Sequence, residues 1–437
     1  NARTLLASAK LLALVVIVSL AMGVAAWAFL ASLNIATDYR EHHAWVYTLL
    51  PVVGVATAWV YKNHGLAAKR GNNLVIDSAL GTRLIHMRMA VLTFVCSTLT
   101  HLTGGSAGRE GAAVQIGGTI ASKPTASGGL APAITSEELL SFVPELAKLC
   151  EIDAVQLFSL DSTNVGPEQW QQLVHAIRQN YDAYDGFVIA HGTDTMAYAA
   201  ATLYYLIQNS PKPVVLTGSQ VSLYARDTDA RENLRSAITY AADDDACGIH
   251  LVFDNKVICA NRAQKTRTRS FNAFSSIDYP EVAVIRGGEV RYYIRESFPG
   301  PVRFYDALDS RVCVIKLIPG MAPGILDYVA EHAHAVIIES FGVGGVPYYD
   351  NDEFTEKIGH LLRNHVKVIF TTQVSHEGSD MELYRVGFRI KKKYELLEAY
   401  TMTTEAVVAK VEWALANSAD DAEFRKLFLT PVGNDRL

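Results

Sequence analysis

The sequence predicts an α/β fold of two domains with parallel sheets, preceded by an all-α, membrane-type segment. Three observations carry this expectation. Residues 1–122 are far more apolar and more sparsely charged than residues 135–437. Beyond residue 135, apolar runs of strand length alternate with helical patterns, which argues for parallel strands with helices on both faces. A stretch at 297–311 containing Pro299 and Pro301 reads as a linker and divides this part in two. The expected domains are therefore 1–114, 115–300 and 312–437.

Residues 11–33 form an almost charge-free run, long enough to cross a bilayer as a helix. Residues 45–61 are a shorter candidate, interrupted by Pro51 and Gly54, and 89–102 are a third. Arg3 and Lys10 precede the first span, and Lys62, Lys69, Arg70, Arg83 and Arg88 separate the second from the third. That bias places both basic segments in the cytoplasm. A signal peptide is the weaker reading of the first run, because two more apolar segments follow. Three full spans would put the α/β part outside. A re-entrant third segment keeps it in the cytoplasm, the placement expected for a chain attached to the membrane by its N-terminal segment.

Ala126-Ser127-Gly128-Gly129 is a loop by composition, and Thr135 or Ser136 caps a helix start. Strands are expected at 154–157, 186–190, 213–217 and 249–253, with helices at 167–181, 195–207 and 230–241 between them. After the linker, strands at 312–317, 335–339 and 366–371 alternate with helices at 324–331 and 353–364, and a final helix lies near 404–417.

Composition excludes several classes. The net charge is −6 and no basic stripe is present, so no nucleic-acid partner is expected. The five cysteines (Cys96, Cys150, Cys247, Cys259 and Cys313) are scattered and form no CxxC pair, which argues for reduced thiols and against a disulfide framework or a zinc site.

In an open α/β sheet, function collects at the carboxyl ends of the strands. Asp161-Ser162, His191-Gly192-Thr193-Asp194-Thr195, Thr217-Gly218-Ser219-Gln220 and Asn261-Arg262-Ala263-Gln264-Lys265 all follow expected strands, and Thr119 follows a short apolar segment and two glycines. The bland reading makes Thr193 and Asp194 helix caps and Thr119 a turn residue. The constellation favours chemistry. A threonine hydroxyl is a poor nucleophile until a positioned base removes its proton, and a lysine paired with a carboxylate beside a second threonine can tune such a relay.

These motifs carry a family resemblance. Gly117-Gly118-Thr119-Ile120-Ala121, Asp161-Ser162-Thr163-Asn164, the run Asp185 to Tyr198, Thr217-Gly218-Ser219-Gln220, Asn261-Arg262 with Lys265, Ser340-Phe341-Gly342-Val343-Gly344 and Met402-Thr403-Thr404-Glu405-Ala406 stand in the order found in bacterial L-asparaginases. Residues 115–437 resemble that family, its cytoplasmic type I group in particular. The resemblance implies an amidohydrolase converting L-asparagine to L-aspartate and ammonia, with L-glutamine as an alternative substrate. It implies Thr119 as nucleophile and Thr193, Asp194 and Lys265 as the proton-moving triad. Asp161, Ser162, Thr193 and Asp194 would bind substrate, and the loop 122–133 would be a lid. It implies no metal and no cofactor, and a homodimer or homotetramer in which a neighbouring subunit completes the site. Three departures stand out. Leu130 occupies the place of a lid tyrosine, Gly345 that of an asparagine, and Ala112–Ile116 that of a longer aliphatic first strand.

Gly104 to Gln115, with Gly71-Asn72-Asn73-Leu74 and the three apolar runs, resembles the N-terminal part of CLC-type anion channels and transporters, their fluoride branch above all. There Glu110 would be the gating or proton-coupled glutamate, and amides near Asn72, Asn73 and Gly108 to Gly111 would face the anion. An inverted repeat of such helices, which that family needs, is not present. The chain therefore reads as a fusion joined at 117–122. The alternatives to a working hydrolase are an anion-transport fragment and an inactive fusion.

Overall fold

The computed structural model describes residues 151–298, 300–347 and 352–436, the segments 111–116, 122–124 and 130–132, and isolated positions in 31–99 and 142–150. Residues 1–109 and 110–437 form separate units. In the first unit nearly all described positions are helical, and Ala44–Leu49 is a 3-10 helix. Among the described residues no helix is long and apolar enough to cross a membrane. Most of the three expected spans, along with Asn73, Gly108 and Glu110, lies outside the described residues.

The second unit is built on two sheets. The strands of its first half are β1 (Gly111–Ile116), β2 (Glu151–Ala154), β3 (Gly186–Ala190), β4 (Pro213–Thr217), β5 (Gly248–Phe253) and β6 (Lys256–Cys259). A separate hairpin, β7 (Ala263–Lys265) and β8 (Phe274–Ser276), precedes β9 (Ala283–Arg286) and β10 (Glu289–Tyr292). The eight-stranded sheet has the order β10-β9-β6-β5-β4-β3-β1-β2. Strands β3, β4 and β5 are buried throughout, as apolar runs such as Phe187-Val188-Ile189 require when helices cover both faces. The weak first strand does form: β1 pairs in parallel with both β2 and β3.

Two expectations are corrected. The sheet is parallel only from β2 through β5 and becomes antiparallel from β5 to β10. The cause is local. Asp254 and Asn255 (φ 51° and 61°) and Gly287 and Gly288 (φ 65° and 82°) are two-residue turns in the left-handed region, the turns that fold a strand back on its neighbour. The strand expected at 154–157 lies at Glu151–Ala154 instead, where charged and apolar residues alternate as an outer strand with one covered face allows. The expected lid contains a short antiparallel hairpin, Ser122–Pro124 against Leu130–Pro132.

Helix α1 (Pro167–Asn180) starts on a proline, whose missing N–H costs nothing there, and buries Trp170, Leu173, Val174 and Ile177 at helical spacing. Helix α2 (Met196–Leu206) is apolar all round and buried on every side. Helix α3 (Ala230–Ala241) packs on β4 and β5.

The second half carries β11 (Val312–Lys316), α4 (Ile325–His332), β12 (Ala335–Ser340), α5 (Glu353–Arg363), β13 (Lys367–Thr372), α6 (Arg385–Tyr394) and β14 (Leu397–Glu398), which make one parallel four-stranded sheet. Helix α7 (Thr404–Ala416), capped by Thr403 Oγ1 accepting from Ala406 N, packs against α2, and α8 (Asp421–Leu429) follows.

One buried group on α7 makes stability depend on pH. Glu412 is 6% exposed and its Oε2 has no hydrogen-bond partner. Burial, and secondarily the Asp309 carboxylate, pushes its pKa from 4.5 up to about 7. The folded value lies above the unfolded one, so this contribution is fully present below about pH 4.5 and is lost as pH rises through about 7. The loss at full ionisation is up to about 3 kcal/mol. Thermal unfolding should show Glu412→Gln more stable than the parent at about pH 8 and level with it at about pH 4.5. Parallel curves for the two proteins would contradict this.

Candidate active site

Ile116 of β1 pairs with Ala190 of β3, and Ala190 pairs with Thr217 of β4. Three chain segments therefore leave the sheet side by side at its carboxyl edge, where open α/β sheets place their chemistry. His191 N donates to Thr217 O (2.7 Å), extending the ladder by one residue, and the turn Gly192-Thr193-Asp194-Thr195 then feeds α2. Thr193 is buried, and the Asp194 side chain is 62% exposed.

Lys265 comes from elsewhere. β6 ends in a 3-10 turn, Ala260–Arg262, and β7 carries Lys265 to its end, where it pairs with Phe274 of β8. Its ammonium donates to Thr193 Oγ1 at 2.8 Å and to Asp194 Oδ1 at 2.6 Å. Sequence reasoning singled out these three residues, and the structure brings Thr193 and Asp194 together on the one lysine ammonium, a triangle of groups joined through Lys265. The substrate-binding residues expected at 161 and 162 sit on the next loop. Asp161 caps the 3-10 turn Ser162–Asn164, and the backbone N–H and hydroxyl of Thr163 hold its carboxyl below the usual carboxylate range. Thr195 Oγ1 donates to Ser162 O (2.7 Å), tying this loop to the Thr193 turn. Thr119, three residues beyond Ile116, lies outside the described residues.

Two supporting residues received no role from the sequence. Thr193 Oγ1 donates to Gln220 Oε1 at 3.1 Å, so the hydroxyl stands between an ammonium donor and an amide acceptor. Asp229 holds the Gln220 turn by accepting from Gln220 N, Val221 N and Asn233 Nδ2. Gln220 could have been found from its place at the end of β4. Asp229 carried no such signal. Gly218 allows the close approach of the two turns: a Cβ there would lie 2.3 Å from His191 O, a backbone atom that cannot swing away. Gly218→Ala should cost about 1–3 kcal/mol in thermal unfolding and displace the Thr193 turn. An unchanged midpoint would show that the turn gives way freely.

A polar cleft of about 370 Å³ opens beside Lys265, lined in part by Gln264, Lys316, Glu339, Gln373 and Thr404. It joins the β7 hairpin to the carboxyl edge of the second sheet, where Lys316, Glu339 and Thr371 are in register. Thr404 Oγ1 donates to Glu339 Oε1 (2.7 Å), and burial pushes the neighbouring Glu405 carboxyl up. Chemically, the triangle can shuttle a proton. The lysine, held by a carboxylate, faces a hydroxyl that can pass its own proton on and take one back.

Residues 112–428 are similar to known proteins over most of their length. The family model described as asparaginase, N-terminal, matches residues 112–297, and that for the glutaminase/asparaginase C-terminal domain matches 311–428. A model for voltage-gated chloride channels matches 53–140, overlapping the first. An L-asparaginase of Thermococcus kodakarensis is 37% identical over 318 residues, 71% of this chain and 94% of that protein. A glutamyl-tRNA(Gln) amidotransferase subunit of Metallosphaera sedula is 31% identical over 72% of this chain and 74% of that one. Among solved structures, the thermostable L-asparaginase of Thermococcus kodakarensis superposes with a TM-score of 0.69 at 34% identity, covering 74% of this chain and 98% of that one. L-asparaginase I of Vibrio cholerae gives 0.66 at 27%, with coverage of 75% and 100%.

Proposed function

The chain belongs to the asparaginase family, and on that premise we propose that it hydrolyses the side-chain amide of L-asparagine to L-aspartate and ammonia through Thr119. The strongest support is the lysine ammonium shared by Thr193 and Asp194 at 2.8 and 2.6 Å. The Thr119 hydroxyl attacks the amide carbon, and its proton leaves through the neighbouring polar groups. The tetrahedral oxyanion collapses, the C–N bond breaks and ammonia departs with the added proton, leaving an ester on Thr119. Water then attacks the ester, giving a proton to the Thr193–Lys265–Asp194 relay, and the Thr119 oxygen leaves and is reprotonated. Asp161 and Ser162 bind the substrate's α-amino and α-carboxylate groups, together with Thr193 and Asp194. The backbone ends at the carboxyl edge stabilise the oxyanion.

Ammonia release from L-asparagine by the whole chain, beside Thr119→Ala, tests the reading. The variant should lose at least about 10⁴-fold in kcat. Equal rates would remove Thr119 from its role. L-Glutamine in parallel measures a discrimination that one methylene usually keeps small. The amidotransferase relative favours a second reading, an amidase component of a larger assembly. A free-standing hydrolase works alone, whereas such a component stays silent until its partner chain is added.

The remaining assignments belong to the same reading. The hydrolase part begins with β1, and its two domains divide between residues 300 and 312. The N-terminal segment attaches the chain to a membrane, with the hydrolase on the cytoplasmic side, and two or four copies associate. The chloride-channel match over residues 53–140 supports the membrane attachment. Carbonate extraction of membranes and light scattering of the detergent-solubilised chain test the attachment and the copy number.

A further inference from the structure

Three residues before Lys265, an arginine is completely buried. Arg262 is 0% exposed, and no carboxylate lies within salt-bridge distance of its guanidinium among the described residues. Its Nε donates to Asn434 O at 2.7 Å and its Nη1 to Thr401 O at 2.7 Å, while its Nη2 is buried without a partner. Burying a guanidinium on two backbone carbonyls is costly, and such a group persists where the surroundings fix it from several sides.

Those surroundings are far apart in sequence. Thr401 lies in the loop that enters α7, whose residues 402–404 line the cleft beside Lys265. Asn434 lies in the segment Val432–Arg436, which is itself anchored. Asp435 is 0% exposed and receives Lys410 Nζ at 2.7 Å, Tyr205 OH at 3.0 Å and Val432 N at 3.1 Å. Lys410 Nζ also donates to Thr430 O at 2.9 Å, and Asn434 Nδ2 donates to Glu296 Oε1 at 2.8 Å. Gly433 (φ 54°) lies so close over Tyr204 that a Cβ would stand 1.9 Å from its hydroxyl. Tyr204 and Tyr205 close α2, the helix that begins just after Thr193 and Asp194. One buried anchor thus holds both sides of the triangle: the lysine through Arg262, and the threonine and aspartate through α2.

We propose that Arg262 is a positioning residue for Lys265, and that the segment Val432–Arg436 sets the geometry of the proton relay through it. The proposal rests on the hydrolase reading for its kinetic consequence but not for its structural one. A misplacement of about 1 Å in such a relay can cost about a hundred-fold in rate. Arg262→Met in the whole chain should therefore lose about a hundred-fold in kcat for L-asparagine, with KM changed less than about three-fold. Arg262→Lys, which keeps the charge without the fork, should fall between the two. Added guanidinium ion should restore part of the Arg262→Met rate and none of the Lys265→Met rate. Amide hydrogen exchange provides a readout independent of catalysis. Exchange in Arg262→Met should rise at 263–266 and 401–403 and stay unchanged in β3, β4 and β5. Unchanged exchange in the hairpin, or a loss confined to KM, would overturn the proposal. If the parent chain hydrolyses neither amide, the hydrolase reading fails, and the exchange result alone decides the positioning. Should Arg262→Met not fold, Lys410→Met/Asp435→Asn takes its place. It removes the ionic anchor and leaves Arg262 intact, and it should move the same amides.

Discussion

Lys265→Met should abolish most of the hydrolysis while the fold stays in place. The ammonium is the only group bonded to both Thr193 Oγ1 and Asp194 Oδ1 among the described residues, so its loss breaks both links of the relay at once. Methionine keeps the length and apolar stem of lysine and cannot carry a proton. Proton transfer by a positioned group is worth about 10²–10⁴-fold, and kcat should fall within that range. Thr193→Val should fall comparably, since it leaves the lysine facing a methyl group. The two changes should not add, because each disables the same relay. Kinetics of the two single variants and the double variant check this. A double variant slower by the product of the single losses would mean that Thr193 and Lys265 act independently. Asp194 is 62% exposed, so its pairing with Lys265 contributes little to stability, and its value lies in orientation.

Lys410→Met should destabilise the fold more than any change at the relay. Lys410 and Asp435 are 1% and 0% exposed and lie 2.7 Å apart. Burial alone pushes the lysine pKa down, and Asp435 is the chief influence opposing this. Removing one member of a buried pair leaves an uncompensated charge and typically costs about 3–5 kcal/mol, whereas removing both is often close to neutral. Lys410→Met should therefore lose stability on that scale in denaturant unfolding, and Lys410→Met/Asp435→Asn should recover most of it. The asparagine's one carbonyl oxygen can still accept from Val432 N, and its amide nitrogen can donate to the Tyr205 hydroxyl oxygen. A double variant no better than the single one would mean that the pair contributes by packing alone.

How far the fold was legible varied with the distance over which its causes act. The helices α1, α2, α3, α5 and α7 lie where the alternation of apolar strand-length runs and helical patterns placed them. The antiparallel half of the first sheet is encoded in two-residue turns, Asp254-Asn255 and Gly287-Gly288, a signal far shorter than the strand–helix alternation around it. Helix α6 was missed because its surface is largely charged, and Arg385, Lys391, Lys392 and Lys393 hide the short buried face at Gly387 and Ile390. At the site, Thr193, Asp194 and Lys265 were readable from motifs at strand ends. Gln220 required knowing that β4 lies beside β3. Arg262 stood in view within the Asn261-Arg262 motif, yet its partners are 172 and 139 residues away, and no local pattern points to them.

Part of the stretch that both family matches share is a strand. Residues 112–140 fall within both the asparaginase and the channel matches, and Gly111–Ile116 is a strand between two others. A six-residue strand suffices because the pairing on either side supplies what its own propensity does not.

The outer strands of the eight-stranded sheet hold a further consequence. On β2 the exposed positions are Glu151 and Asp153, and on β10 they are Glu289 and Arg291. A sheet rim with free backbone groups is a template for unwanted strand addition, and charged side chains along it are a common safeguard. Joining two copies rim to rim would strip water from those carboxylates and bring like charges together on β2. Those charges steer the molecule away from fibrous self-association at both ends of its largest sheet.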